Sequence, residues 1–538
     1  MRVDRICGSS SSPPVKRRRA KRLGDMRQPV LGLADQYAPV EPPPRAPVTD
    51  AAFRCGDRKK LFVGNRPLRS YLADSGQGIY LRVADQIDGM DLSELLESYS
   101  PIGRHAIHPR ILLGLIIVGI LTGKSSLRDL EHLAICDVRA WWICRGEQPD
   151  HSTIGKFIVT HEAWISGEGF QSALKQAIGG LGVRPGDAAI DGTVIESAAS
   201  RLNMLKKDAA RAAADEASRA AHERPDDRDA KLSAESAEKV ARAIEQRTAA
   251  REATGKPADR LKVAASDPDA VNQPRKDDVV APSYKPSIVA TSEQLIVGQL
   301  VDPSSETAAV LPLIEQYEVA LGAAPSTLMA DAGYHTLDVL ALAVMKGIDI
   351  LCPSGKATGA DDVERKSSKL GKREFHFDAA ENVYRCPAGE TLVQLRRERD
   401  RDGRTFNKYG GAPCSECPRK AQCSDARAGR TIKRYDGDEL KEAQRAVMAQ
   451  PAARARYKRR SAIVEPVFGR LREMGLRRFR RRGLALVRAE FALYCIAYNF
   501  KRADGIREAR IAAFAVLRVH DRPVAFLCWI VTINAQRP

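Results

Sequence analysis

The sequence has no apolar run long enough to cross a bilayer. The longest, residues 111–121, falls far short of the about 20 residues that a spanning helix needs. The N-terminus likewise has no apolar core of the length a secretory signal requires. Both absences lead to the expectation of a soluble chain with no membrane partner, working in the cytoplasm. Aromatic residues are sparse at 6%, yet 43% of the 538 residues are hydrophobic, enough to exclude wholesale disorder. The eleven cysteines are odd in number and unevenly spread, which argues against a disulfide scaffold and for a reducing compartment.

Acidic charge is the scarcer sign. The chain has 86 Lys and Arg against 68 Asp and Glu, a net +18 that points to a polyanionic partner. The excess is concentrated. Residues 454–482 hold twelve Lys or Arg against Glu465 and Glu473, so +10 of the +18 falls within 29 residues. Tyr457, Phe468 and Phe479 interleave with these cations. A scattered charge run would read as a solvated helix face, whereas this clustering points to phosphate-backbone binding.

Along the chain, residues 1–70 read as a disordered basic and proline-rich tail. Residues 71–182 turn helical, with three- and four-residue apolar spacing over 91–99, 109–123 and 126–136 and cap-like residues at Ser126 and Asp150. This predicts an N-terminal all-α domain, with Trp141 and Trp142 as core. Then the period changes. Residues 188–195 (AAIDGTVI) predict one buried strand carrying a single acid. Further strands are expected at 287–291, 294–300, 327–330 and 349–351, with helices at 308–321 and 337–345, which together suggest a mixed α/β sheet. Residues 208–250, rich in alanine and charge, have only Leu232, Val240 and Ile244 as large apolar side chains and predict an exposed helical insertion.

An acid among apolar neighbours in a strand needs a partner, because burying a lone carboxylate costs several kcal/mol. Asp191 lies in IDGT and Asp331 in LMADAGY, each beside small residues where a ligand could approach. Taken singly, each reads as a turn or cap aspartate. Glu465 is different, because it stands inside the basic run as IVEPVFG. Arg472 follows it by seven residues, close to two helical turns, so the two can share a face. Pro466 suits a first helical position and disfavours helical geometry at Glu465, which puts the glutamate at a helix start or a kink.

The order IDGT, ADAGY and YKRRSAIVEPVFGRLR resembles the insertion-sequence transposases of the DDE type, in the branch bearing a Tyr-Arg-Glu-Lys signature. Here the signature residues are Tyr457, Arg460, Glu465 and Arg472. The resemblance covers roughly residues 80–502. It implies an RNase H-like catalytic core over 183–372 and 435–502, an N-terminal helical DNA-binding domain over 71–182, a helical insertion over 200–264 and a Cys-rich β insertion over 373–434; residues 503–538 fit no pattern of the family and read as a tail. It implies two Mg²⁺ or Mn²⁺ ions held by Asp191, Asp331 and Glu465 as catalytic acids, Asp191 bridging both ions. Tyr457, Arg460 and Arg472 would grip phosphates near the cut, and Arg477, Arg478 and Arg480 would add contacts to DNA. The partner would be double-stranded DNA, as terminal inverted repeats and target, with a homodimer on the paired ends near a bacterial nucleoid. A catalytically decayed DNA-binding relative and a hydrolytic nuclease on the same fold are the competing readings. One departure stands out. The branch has Lys at the last signature position, whereas Arg472 keeps the charge but changes the geometry.

Cys386, Cys414, Cys417 and Cys423 lie close in sequence, with a C-x-x-C turn that suits tetrahedral zinc. Two readings stand: one structural Zn²⁺, or four ordinary cysteines in an arginine-rich loop region. Similar cysteines occur in the matching segment of this transposase branch. Beside them, Arg396, Arg397, Arg399 and Arg401 are available for DNA backbone.

Overall fold

A computed structural model describes residues 53–519, apart from 101–103, 254, 256, 276–278, 355–368 and 401–402, with side chains described as far as residue 513. Most of the expected N-terminal tail and the end of the C-terminal one therefore lie outside the described residues. Residues 53–70 are a correction to that expectation, because they are built into the fold. Phe53–Arg54 pairs in parallel with Ala106–Ile107, and a helix starts at the fully buried Leu68. The Phe53 ring packs edge-on to Tyr99, so its partners are distant in sequence and local composition does not reveal them.

In the helical region, α1 (Pro109–Leu121) is apolar on all sides and is buried along nearly its whole length. Pro109 occupies its first turn, and His108 Nδ1 accepts the Arg110 N–H at 3.1 Å. Ser126 and Asp150 do cap helices, accepting the N–H groups of Asp129 at 3.1 Å and Thr153 at 2.6 Å. Residues 91–99 hold only the short helix Ser93–Glu97, because the Asp91 carboxylate turns back to accept the Ser93 N–H. Trp142 is core, as expected.

The central sheet has five principal strands: β1 (Asp187–Gly192), β2 (Val280–Thr291), β3 (Ile296–Asp302), β4 (Thr327–Met329) and β5 (Asp349–Leu351). Their spatial order is β3-β2-β1-β4-β5. β2 runs antiparallel to both neighbours, whereas β1, β4 and β5 are mutually parallel. Ala188, Ala189 and Ile190 are fully buried, as befits a strand covered on both faces. The single strand expected over 188–195 is broken after Gly192. The chain steps across there, and Ile195–Glu196 pairs with the other half of β2 at Ser283 and Tyr284.

Helices α2 (Lys207–Glu223) and α3 (Arg228–Ala253) pack on each other over a small cluster of Ala210, Val240, Ile244 and Val263, while Leu232 stays exposed. α4 (Val310–Leu321) follows β3, and α5 (Leu337–Met345) joins β4 to β5. The arginine-rich region forms a second, antiparallel sheet in simple meander order: β6 (His376–Asp378), β7 (Val383–Arg385), β8 (Thr391–Arg399), β9 (Thr405–Gly410) and β10 (Ile432–Tyr435). Its own core is Phe375, Tyr384, Leu392, Tyr409 and Ile432.

Two helices complete the chain. α6 (Arg459–Glu473) lies against β1, and α7 (Leu484–Val519) runs past β3 and the N-terminal helices. The tail expected from residue 503 is thus helix as far as Val519. Its anchors are polar: Arg82 bridges Asp504 and Glu508, and Arg507 donates to the carbonyls of Gln176, Ala177 and Gly179. One hydrophobic core runs continuously through the N-terminal helices, the sheet, α6 and α7, so the helical region is not packed as a separate body. None of the helices among the described residues is long and apolar enough to cross a membrane.

Asn499 fastens α7 to the sheet edge. Its side-chain oxygen accepts the Ile296 N–H at 2.9 Å and its amide donates to the Ile296 carbonyl at 2.7 Å, imitating a neighbouring strand. Asn499→Ala should therefore destabilise the fold by about 2–4 kcal/mol, since two buried backbone groups lose their partners. Urea unfolding followed by circular dichroism checks this, and a loss near zero would contradict it.

Candidate active site

The parallel register of β1 and β4 pairs Thr327 with Asp187 and Met329 with Ala189. Asp331 follows Met329 by two residues as Asp191 follows Ala189, and the Asp331 charge acts on the Asp191 carboxyl. Asp331 caps the short turn Ala332–Tyr334 by accepting the Gly333 N–H at 2.8 Å. Asp191 is more enclosed, with a side chain 19% exposed. Its carboxyl is pushed up to about 6. Burial is the largest cause, and the charges of Asp331 and Glu306 add to it. Arg460 acts the other way through an ion pair at 2.8 Å, and burial still wins.

The surroundings are buried and polar. Cys352 donates its thiol to the Asp331 carbonyl oxygen at 2.9 Å, and burial pushes that thiol up to about 12. Tyr334 is fully enclosed and raised well above the usual phenol range, first by burial and then by the charges of Glu306, Asp191 and Asp331. Tyr457 is half-buried in the same neighbourhood, also raised chiefly by burial. Glu306 carried no sequence signal, yet it presses on Gly192 immediately after Asp191.

α6 brings the remaining signature residues. Its stripe Ile463, Val464, Val467, Phe468 and Leu471 is buried. Arg460 lies at its start, and Arg472 near its end donates to Thr193 Oγ1 at 3.1 Å. Glu465 stands in mid-helix, on the exposed flank it shares with Arg472, rather than at a helix start. Pro466 is accommodated inside the helix. A proline there removes the N–H that would bond the Ala462 carbonyl, a defect worth about 3 kcal/mol in an isolated helix. The Gln294 side-chain amide takes that carbonyl instead, at 2.8 Å, from the turn between β2 and β3. Tertiary structure supplies what local propensity lacks.

The site thus brings together Asp191, Asp331, Tyr457 and Arg460, with Arg472 on Thr193 two residues after Asp191, whereas Glu465 stands exposed on the flank of α6. Among the described residues, no group of three His, Cys, Asp or Glu is arranged to hold a metal ion. The donor set is nonetheless of the right kind. Two adjacent carboxylates, with Glu306 close by, form an excess of negative oxygen that suits a hard divalent cation.

The basic run proves to be divided between fold and surface. Arg456 and Arg459 pair with Asp187, at 2.5 and 3.0 Å. Arg478 donates to the carbonyls of Ser197 and Ala199, both at 2.7 Å, so its guanidinium is engaged in holding the chain after Ile195–Glu196. Arg477 and Arg480 have exposed side chains. The Arg480 and Arg481 backbone N–H groups are taken by the buried carboxylate of Glu490.

The family described as "Transposase DDE domain" matches residues 385–503, and the family described as "Transposase domain (DUF772)" matches residues 73–159. The two together indicate an insertion-sequence transposase. Glu465, the basic run and Cys386, Cys414, Cys417 and Cys423 lie within the first span, and the N-terminal helices between residues 78 and 159 lie in the second. Asp191 and Asp331 fall between them. No curated protein matches the chain.

Transposases of the DDE kind act through divalent ions, and the second sheet raises the separate question of zinc. Cys386, Cys414, Cys417 and Cys423 line one cavity of about 30 Å³. Gly429, at φ +87°, approaches Cys414 so closely that a Cβ there would lie 2.8 Å from the sulfur. The four thiols therefore gather in one place, although as oriented no three of them are arranged to hold an ion.

The raised Asp191 carboxyl has a definite consequence for stability. Unfolding returns it to the ordinary value of 3.8, so the native state holds the proton more tightly and stability falls as pH rises from about 4 to 6. Below that window the penalty is absent. Comparing wild type with Asp191→Asn by denaturant unfolding at pH 4 and pH 7 should show wild type losing about 3 kcal/mol relative to the variant. A difference independent of pH would show that the carboxyl is not perturbed.

Proposed function

We propose that this chain is the transposase of an insertion sequence, binding the element's terminal inverted repeats and catalysing metal-dependent DNA strand cleavage and strand transfer. The observation that carries the proposal is the register of β1 and β4. It supports reading Asp191 and Asp331 as neighbours on which α6 directs Arg460 and, through Thr193, Arg472, in a chain matching transposase families over residues 73–159 and 385–503. The order β3-β2-β1-β4-β5 with β2 alone reversed supports assigning the core to the RNase H-like fold.

Asp191, Asp331 and Glu465 hold divalent ions in this reading. A divalent ion held by these acids would supply activation of a water or DNA 3′-hydroxyl and stabilisation of the oxygen leaving phosphorus. The chain's own residues do the rest. Arg460, now paired with Asp191, would be available to a phosphate once Asp191 held a cation. The Arg460 Nε is already buried without a hydrogen-bond partner, a donor waiting for an acceptor. Arg472 reaches the end of β1 and can hold a phosphate there. Its fork prefers two oxygens where the branch's lysine would present a point charge. Glu465 shares its flank with Arg472, which supports it as the third acid. Tyr457 borders the same space. Lys458, Arg470, Arg477, Arg480 and Arg482 carry the DNA backbone outward from the cut. A homodimer in the bacterial cytoplasm would pair the two DNA ends.

With labelled donor ends and target DNA, wild type should cut and join in Mg²⁺ or Mn²⁺. Asp191→Asn, Asp331→Asn and Glu465→Gln should each lower cleavage roughly 100- to 1,000-fold while end binding persists. Cleavage surviving in Asp191→Asn would remove the metal assignment. Cutting without joining would indicate a hydrolytic nuclease, and binding without cutting a decayed relative.

One zinc ion is further proposed for the four cysteines, since their thiols share a cavity beside the small β6–β10 core. Elemental analysis of the purified chain should find about one zinc per molecule, lost when Cys414 and Cys417 are both changed to Ser. Metal-free wild type with an unchanged melting temperature would refute it.

A further inference from the structure

The second sheet holds charge in an arrangement that a sheet by itself does not favour. Arg396 of β8 lies opposite Lys408 of β9, and Lys408 lies opposite Lys433 of β10. Three cations therefore stand in one row across three neighbouring strands, spanning roughly 10 Å at the usual strand spacing. Like charges placed directly opposite one another destabilise a sheet. Little offsets them here. Glu398 pairs with Arg396 from two residues along the same strand. Lys433 rests over the Phe406 ring at 4.5 Å, and neither lysine has an ion-pair partner among the described residues.

The row lies on an open face. Tyr409 and Ile432 point into the small core, so Lys408 and Lys433, each one residue away, stand on the opposite side of the sheet. Arg396 and Lys433 are exposed there, and Lys408 is half-buried. Beside them Val393 and Leu395 are 48% and 50% exposed. Leu395 falls at the register shift between Gln394 and Arg396 and leans over Gly410, where a Cβ would meet its Cδ1 at 2.9 Å. That glycine keeps this end of the face low, which lets a broad partner reach the cations. The arginines expected from the sequence to meet DNA are divided. Arg397, in register with Asn407, lies on the core side and pairs with Asp436 at 2.7 Å, while Arg401 lies outside the described residues.

We propose that this face of the second sheet is a docking surface for the phosphate backbone of duplex DNA, held by Arg396, Lys408 and Lys433. Duplex DNA carries one negative charge per about 1.7 Å of its axis, so a row of this length meets phosphates in any register. An acidic protein would need carboxylates matched to three set positions. The proposal rests on the reading of DNA as the partner and is independent of the metal assignment at Asp191. Its rival is a structural role, in which the lysine stems serve only to cover aromatic and apolar side chains.

Fluorescence anisotropy of the full-length chain with a labelled duplex of about 30 base pairs, repeated over a range of salt, separates the two. The double variant Lys408→Gln, Lys433→Gln should weaken binding roughly tenfold and lower the slope of log Kd against log salt by about 2. The double variant Lys408→Arg, Lys433→Arg keeps both charges and should keep the wild-type slope. Lys231→Gln removes an exposed cation from α3 and should leave affinity and slope unchanged. A wild-type slope in the Gln double variant overturns this proposal alone, and a lowered melting temperature beside it assigns the lysines to the fold. An equal fall in slope for Lys231→Gln makes net charge the cause and overturns it as well. A wild-type chain that binds no duplex defeats the reading of DNA as the partner, and the proposal with it.

Discussion

Two parallel strands ending side by side hold like charges together, and much of the surrounding structure answers that constraint. β1 is buried on both faces, so its terminal carboxylate cannot be fully hydrated. Asp331 and Glu306 add negative charge to the same volume. One guanidinium, Arg460, offsets part of the cost but not all of it, as the raised Asp191 carboxyl shows. A structural ion pair would balance its charges. Here an excess of carboxylate remains, which is the electrostatic condition for recruiting a cation from solution.

Arg460 must be delivered accurately, and that requirement reaches far along the chain. It sits on α6, which carries a proline in its interior. Gln294 satisfies the carbonyl that Pro466 leaves open, from a left-handed conformation at φ 64° in the turn between β2 and β3. The Gln294 carbonyl in turn accepts the Tyr498 hydroxyl from α7 at 2.8 Å, one residue before Asn499 grips β3. Sheet edge, α6 and α7 are thus tied by a short chain of hydrogen bonds. The N-terminal helices share their hydrophobic core. A site built on such elements is held by packed backbone rather than by loops.

The legible features were those whose cause is local. The helix caps at Ser126 and Asp150 need only a side chain and an N–H three residues on. The apolar strand around Asp191 announces itself by composition, as does the alanine-rich helical pair of α2 and α3. Asp191 and Asp331 could be nominated because each interrupts an apolar run beside a small residue. Where causes were distant, the sequence was silent or misleading. Residues 53–70 looked like tail because the rings that hold Phe53 come from Tyr99 and His108. Residues 503–519 looked like tail because their anchors, Arg82 and the carbonyls after Lys175, belong to another part of the chain. Pro466 suggested a helix start or a kink, and left the two open, because its remedy, Gln294, lies far upstream. Glu306 gave no sign at all, apart from the glycine that makes space for it.

By itself the sequence determined which residues could do chemistry: the acids, the basic run that surrounds one of them, and the order of motifs that resembles a transposase. Those are properties of side-chain type and spacing, and they survive without coordinates. Which of these residues meet was decided by tertiary structure alone. The register of β1 against β4 couples Asp191 to Asp331, the packing of α6 on β1 assigns Arg460 to Asp191, and the room at Gly192 admits Glu306. Each depends on contacts between segments far apart in the chain, whose geometry follows from how the whole core packs and not from any local preference.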